Sequence, residues 1–296
     1  MKLIFQSSTI LFVLISISLP SFSQSSTTTQ EEDEYYGRFY GGIESNMQYY
    51  VKDKGLESAI LPDDPFRSNS YVYANYNYKR WTAGIQVEAY EQNALLNYNP
   101  QFEGTNLGIY YLNYKDEKWD VTLGHFYEQF GNGMIFRAWE DRALGINSAV
   151  RGARVKFSPN YNIDFTAFYG RQRSGFDVTS GDLFGFDANF FLAEYLNLYE
   201  KNQDLSLGFS YLGRYESLEK YPQLQDPSYE DLTNSFSFRA DYLIGAFYAN
   251  AEVNYKSKDG ILNIQNQLSD DFARAGNAVT LNFGYSETGL GLDVSL

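Results

Sequence analysis

The stretch YVYANYNYKRWTAGIQVEA, residues 71–89, decides the fold. In its first half Val72, Ala74, Tyr76 and Tyr78 fall on one face, opposite Asn75 and Asn77. After Lys79-Arg80 the pattern resumes, with Trp81, Ala83, Ile85, Val87 and Ala89 opposite Gln86 and Glu88. Strict alternation places successive side chains on opposite sides of a β-strand, and no 3.6-residue spacing accounts for either run. Two such runs joined by two residues read as a hairpin with one apolar and one polar face.

The same period extends in both directions. In 38–51, Phe39, Ile43, Met47, Tyr49 and Val51 oppose Arg38, Glu44, Asn46 and Gln48. Further strands are expected at 106–114, 119–127, 149–157, 161–170, 185–195, 204–213, 233–243, 246–255, 277–285 and 289–296, about thirteen in all. Short connections at 79–80, 115–118, 158–160, 196–203, 244–245 and 286–288 alternate with long polar ones at 52–70, 91–105, 128–148, 171–184, 214–232 and 256–276. Aromatic residues gather beside the short turns: Tyr78 and Trp81, Tyr114 and Trp119, Phe157 and Tyr161, Tyr195 and Tyr199. Short turns on one side, longer loops on the other and an aromatic girdle are the habit of outer-membrane barrels. The expected fold is therefore all-β, a transmembrane antiparallel up-and-down β-barrel over residues 36–296. Single-chain bacterial barrels close with an even strand number. A count of thirteen, with a last strand that stops in mid-pattern at Leu296, predicts part of a larger barrel; a missed strand near 185–203 is the alternative.

The N-terminus carries an export signal by pattern: Lys2, an apolar run through Leu19, and Ser21-Phe22-Ser23 as a cleavage site before Gln24. A single membrane anchor is the competing reading, but the apolar run is short for a span of roughly 20 residues. Residues 24–35 form a polar, acidic leader, expected to be flexible. The topology then puts the N-terminus of the mature chain in the periplasm.

Composition narrows the function classes. There is no cysteine, which excludes disulfides, thiolate metal sites and a cysteine nucleophile. The formal charge is −14, becoming −15 when Lys2 leaves with residues 1–23, and so acidic a chain argues against nucleic acid as a partner. The 27 tyrosines and 23 phenylalanines suit a chain whose partner is outer-membrane lipid, since a tyrosine ring can sit in the acyl boundary with its hydroxyl wet.

The stretch HFYEQFGNGMIFRAWEDRALGINSAVRGARV, residues 125–155, together with the Tyr-rich strands, resembles outer-membrane, porin-like β-barrel proteins of Bacteroidota. The resemblance covers the whole mature chain and implies fold and location. It brings no assigned substrate or catalytic residue, and such proteins are usually longer than this chain.

The connection 128–148 is the candidate site. Gly131, Gly133 and Gly145 permit unusual backbone angles around Arg137, Glu140, Asp141 and Arg142, and Arg151 and Arg154 follow on the next strand. Folded into the lumen, these charges would form a constriction that filters solutes by size and field. Left on the surface, they would be ordinary solvated ion pairs. Arg38, Glu44, Glu88, Asp164, Arg239, Asp241 and Glu252 fall on the polar face, which predicts a wet lumen of mixed charge. The sole histidine, His125, shares the face of Trp119, Val121 and Leu123, pointing toward lipid or the girdle. No nucleophile elbow, metal-spaced histidines or phosphate loop is present, so neither an enzyme nor a cofactor is expected. Two readings stay open: a passive channel for small solutes or ions, and a non-enzymatic scaffold barrel whose long loops bind outer-membrane protein partners.

Overall fold

A computed structural model describes residues 36–51, 65–91, 94–95, 102–142, 145–217, 230–262, 268–287 and 292–295. The expected export signal, the polar leader and parts of several connections lie outside these residues. Thirteen strands form one antiparallel sheet: β1 (Arg38–Tyr49), β2 (Phe66–Tyr78), β3 (Trp81–Tyr90), β4 (Gly104–Lys115), β5 (Trp119–Phe126), β6 (Val150–Asn160), β7 (Ile163–Ser174), β8 (Asp177–Phe191), β9 (Gln203–Tyr215), β10 (Leu232–Ile244), β11 (Phe247–Leu262), β12 (Leu268–Glu287) and β13 (Leu292–Ser295). Each strand pairs only with its sequence neighbours, so the topology is up-and-down throughout. β1 and β13 are the edges of the sheet and do not pair with one another among the described residues.

Two expected long connections are strand instead. The chain expected to loop over 171–184 turns at Gly175-Phe176, and β7 and β8 run into it from both sides. Likewise β11 continues to Leu262 and β12 begins at Leu268, within the stretch 256–276. Polarity misled the reading there, because strands that project past an apolar band need no apolar face and still keep their ladder hydrogen bonds. A register shift between Arg171 and Arg173 bends the β7–β8 hairpin. The tight turn expected at 158–160 lies at Tyr161-Asn162, since the ladder continues through Asn160.

The sheet is inside-out by the standard of a soluble protein. In β3, Trp81, Ala83, Ile85 and Val87 are exposed while Gly84, Gln86 and Glu88 are buried. In β10, Thr233, Ser235 and Ser237 are buried, and Phe238 on the other face is 60% exposed. Phe39, Ile43, Leu123, Val253, Val279, Leu281 and Phe283 are likewise exposed. A chain that leaves so many large apolar side chains uncovered while burying hydroxyls, amides and carboxylates is matched to lipid outside and water or protein inside. Aromatic side chains mark the turn end: Trp81 lies 5.0 Å from Tyr114, and Trp119 stacks on Phe157 at 4.2 Å.

Candidate functional site

Residues 127–142 and 145–149, between β5 and β6, fold onto the polar face as two small hairpins. Glu128-Gln129 pairs with Arg137-Ala138, and Glu140-Asp141 pairs with Ile146-Asn147. The first hairpin is glued down by aromatic rings: Phe136 stacks on Phe168 at 4.6 Å, and Phe130 lies 5.6 Å from the same ring. Phe126, Ala138, Val150 and Leu183 complete this cluster. Each ring so buried contributes about 1.5–3 kcal/mol. That is why this loop lies on the sheet rather than in solvent. Gly185 makes the seat possible, since a Cβ there would lie 2.4 Å from the Phe168 ring and 2.8 Å from Phe130.

The segment touches distant parts of the sheet. At one end Arg142 donates to Glu44 of β1 and, at 3.1 Å, to Gln86 of β3, with its guanidinium 4.1 Å over the Tyr71 ring. At the other end the Asn132 amide donates to Glu252 of β11 at 3.0 Å, and Gly131 packs on Arg239 of β10. On a flat sheet β3 and β11, eight strand steps apart, would be separated by about 38 Å. Ten residues reach roughly 33–36 Å only when fully extended, and the stretch 132–142 is folded into hairpins. The sheet must therefore curl around the segment, which crosses the concave polar face.

Ion-pair networks line that face among the described residues. Glu88, fully buried, receives Arg173 in a bidentate pair at 2.9 and 2.7 Å, Gln86 at 2.9 Å and the Tyr90 hydroxyl at 2.7 Å. Tyr71, Tyr90 and Phe102, with Phe176 of the β7–β8 turn, close over it. Asp187 accepts from Arg239 at 2.6 Å and Ser210 at 2.5 Å, and Asn189 donates to it at 2.7 Å. Arg154 bridges Asp120 and Glu128 at 3.2 and 3.3 Å. Arginine forks suit these sites because they hold a carboxylate in a fixed plane.

Of the residues singled out from the sequence, Arg137, Glu140, Asp141 and Arg142 lie on the segment, and Arg142 also pairs with Glu140 at 3.3 Å. Arg137 reaches none of them and rests on the Trp139 ring at 4.0 Å. Arg154 faces the polar side, but Arg151 does not join it. Three residues apart on a period-two strand, they point to opposite faces, and Arg151 lies 3.7 Å from Asp177. Glu88 and Arg239 lie in these networks, Glu44 accepts from Arg142, and Glu252 accepts from Ser237 and the Asn132 backbone amide. Asp164 accepts from Ser158 and Asp241 from Ser206, both near the turn end, and Arg38 is exposed. His125 does not face lipid: it is buried edge-on against Tyr110 at 4.7 Å, its Nδ1 beside the Tyr110 backbone, near the loop end. Sequence reading missed Arg173, placed in an expected loop, and the charged and amide residues Arg214, Asn254, Lys256 and Asp259. The last four surround a cavity of about 460 Å³ between the tip of the segment (Met134–Arg137) and β8–β12. For Asn254 a signal existed, its place among the polar positions of an alternating strand.

The profile of one family matches residues 1–296, the whole chain. The chain belongs to DUF6029, a family of unknown function. No curated protein matches it. Among solved structures it is similar to Pseudomonas putida OprB, at 11% identity and a TM-score of 0.42, covering 88% of this chain and 73% of that one. The outer membrane channel DcaP of Acinetobacter baumannii shows 13% identity and a TM-score of 0.35, covering 86% and 75%. Wzi, an outer membrane protein of Escherichia coli involved in group 1 capsule assembly and described as a carbohydrate-binding β-barrel, shows 12% identity and a TM-score of 0.25, covering 90% and 80%.

Proposed function

We propose that this chain is an outer-membrane β-barrel of the porin kind, a passive path for small solutes or ions whose lumen is narrowed by residues 127–149. The observation that carries this reading is the pairing of an exposed apolar face with a polar concave face crossed by a charged segment. In this reading residues 1–23 direct export, the mature N-terminus faces the periplasm, and the apolar face meets outer-membrane lipid. In the same reading Arg142, paired with Glu44, and Arg137, resting on Trp139, place charge along the segment, where field and width select the solute.

The test is conductance of the protein, purified from outer membranes, in planar bilayers. Discrete openings are expected, with conductance or ion preference altered in the double variant Arg137→Ala/Arg142→Ala. Silent bilayers would remove the channel reading; unaltered openings in the variant would remove the constriction. A second reading, a filled scaffold barrel with protein partners at its loops, is favoured by one observation: the Tyr71–Tyr90–Phe102 cluster fills the face over Glu88. It predicts a silent barrel that co-purifies with other outer-membrane proteins.

A further inference from the structure

The cavity beside the segment has a lining of definite charge. Its cationic side chains are Arg137, Arg214 and Lys256, and its carboxylate is Asp259. Asp259 accepts Arg214 and Lys256 together, both at 2.5 Å, so one anion serves two cations. Arg137 has no carboxylate within ion-pair distance among the described residues; it lies flat on Trp139, which leaves the edge of the fork free to donate. The lining thus carries two excess positive charges in a chain of net charge −14.

The second observation is independent of charge. Asn254 is 6% exposed, and neither Nδ2 nor Oδ1 of its side chain has a hydrogen-bond partner among the described residues. A buried amide left in that state destabilises a protein, and replacing it with an apolar group of like shape costs nothing. An amide offers one donor edge and one acceptor edge, so its natural partner is a group that both accepts and donates, such as a hydroxyl. On the neighbouring strand Gly276 leaves room: a Cβ built there meets nothing within 4 Å. The volume lies within the ~300–1,000 Å³ of small-molecule sites.

We infer that this cavity binds a small hydroxylated carboxylate, with Arg137 and the Arg214–Lys256 pair taking the carboxylate and Asn254 a hydroxyl. The inference rests on the reading of the polar face as a solute path, and names the solute class. Its test is kept separate from conductance: titration calorimetry of the detergent-solubilised full chain, with gluconate as probe and sorbitol as its uncharged counterpart. Gluconate is expected to bind at least about 10-fold tighter than sorbitol, the contribution of one charge-assisted contact. Asn254→Leu, Arg137→Gln and Gly276→Leu are each expected to weaken gluconate by about 10-fold or more. The three variants act through the amide, the charge and the space, so a folding failure in one leaves two. Equal binding of gluconate and sorbitol overturns the inference, as does full affinity in the variants that fold, or no gluconate binding at millimolar concentration. Silent bilayers alongside selective gluconate binding would remove the channel and leave the site.

Discussion

The segment 127–149 separates two kinds of interior. On the β3–β7 side, both oxygens of Glu88 are occupied by Arg173, Gln86 and Tyr90, and aromatic rings cover the result. On the β9–β12 side, neither polar atom of the buried Asn254 amide has a partner among the described residues, and Gly276 keeps space beside it. Closed networks hold a fold in one shape; an unsatisfied group beside open volume costs stability and is kept where something must bind. Polarity alone therefore does not locate function inside a barrel. What separates the two places is that the oxygens of Glu88 are matched while both polar atoms of the Asn254 side chain are not, among the described residues.

That contrast breaks most visibly at the matched side. Glu88→Ala leaves the Arg173 guanidinium buried without its counter-ion and should cost about 3–5 kcal/mol of unfolding free energy, read by urea titration in detergent. Glu88→Leu with Arg173→Met should recover most of the loss, because no unpaired charge remains. Equal losses in single and double variants would mean that the pair is not what holds this side. Gly131→Val comes next. A side chain there meets Arg239 Cδ at 2.5 Å and must adopt a φ near +52°, a strain of about 1–3 kcal/mol. The segment should lift from β10 and become open to protease between 127 and 149; unchanged protection would show that the Gly131–Arg239 contact is dispensable.

On the unmatched side the sign reverses. Asn254→Leu should stabilise the protein by about 1 kcal/mol, since it removes two unpaired polar atoms, and a lower unfolding midpoint would show that the amide has a structural partner after all. The smallest effect lies away from both interiors, in the β4–β5 turn. There the backbone amides of Lys118 and Trp119 donate to Asp116 and hold its carboxyl below the usual range, with Arg80 nearby. A depressed carboxyl stabilises above its unfolded value, near 3.8, and that contribution disappears as pH falls through the lower folded value. Asp116→Asn should therefore flatten the acid limb of the midpoint-versus-pH curve and leave neutral pH little changed; an identical acid limb would exclude Asp116 as its source.

Much of the fold was written in alternation. Thirteen strands were expected and thirteen pair in chain order, because a two-residue period over an apolar face is a local property. Where strands project past that face the signal fades, and 171–184 and 256–276 were misread for this reason. The candidate site was legible only in part. Arg137, Glu140, Asp141 and Arg142 could be singled out from glycines and clustered charges, but not the distant partners of Arg142, Glu44 and Gln86, which lie 98 and 56 residues away in sequence.

By itself, then, the sequence determined the class of fold, the polarity of its two faces and the segment most in need of explanation, since each depends on nearest neighbours along the chain. Curvature was decided only in three dimensions. Bringing β3 and β11 within reach of one segment is a long-range closure that no local pattern encodes. The same long-range approach of strands sets Glu88 against Arg173 and leaves Asn254 without a partner among the described residues.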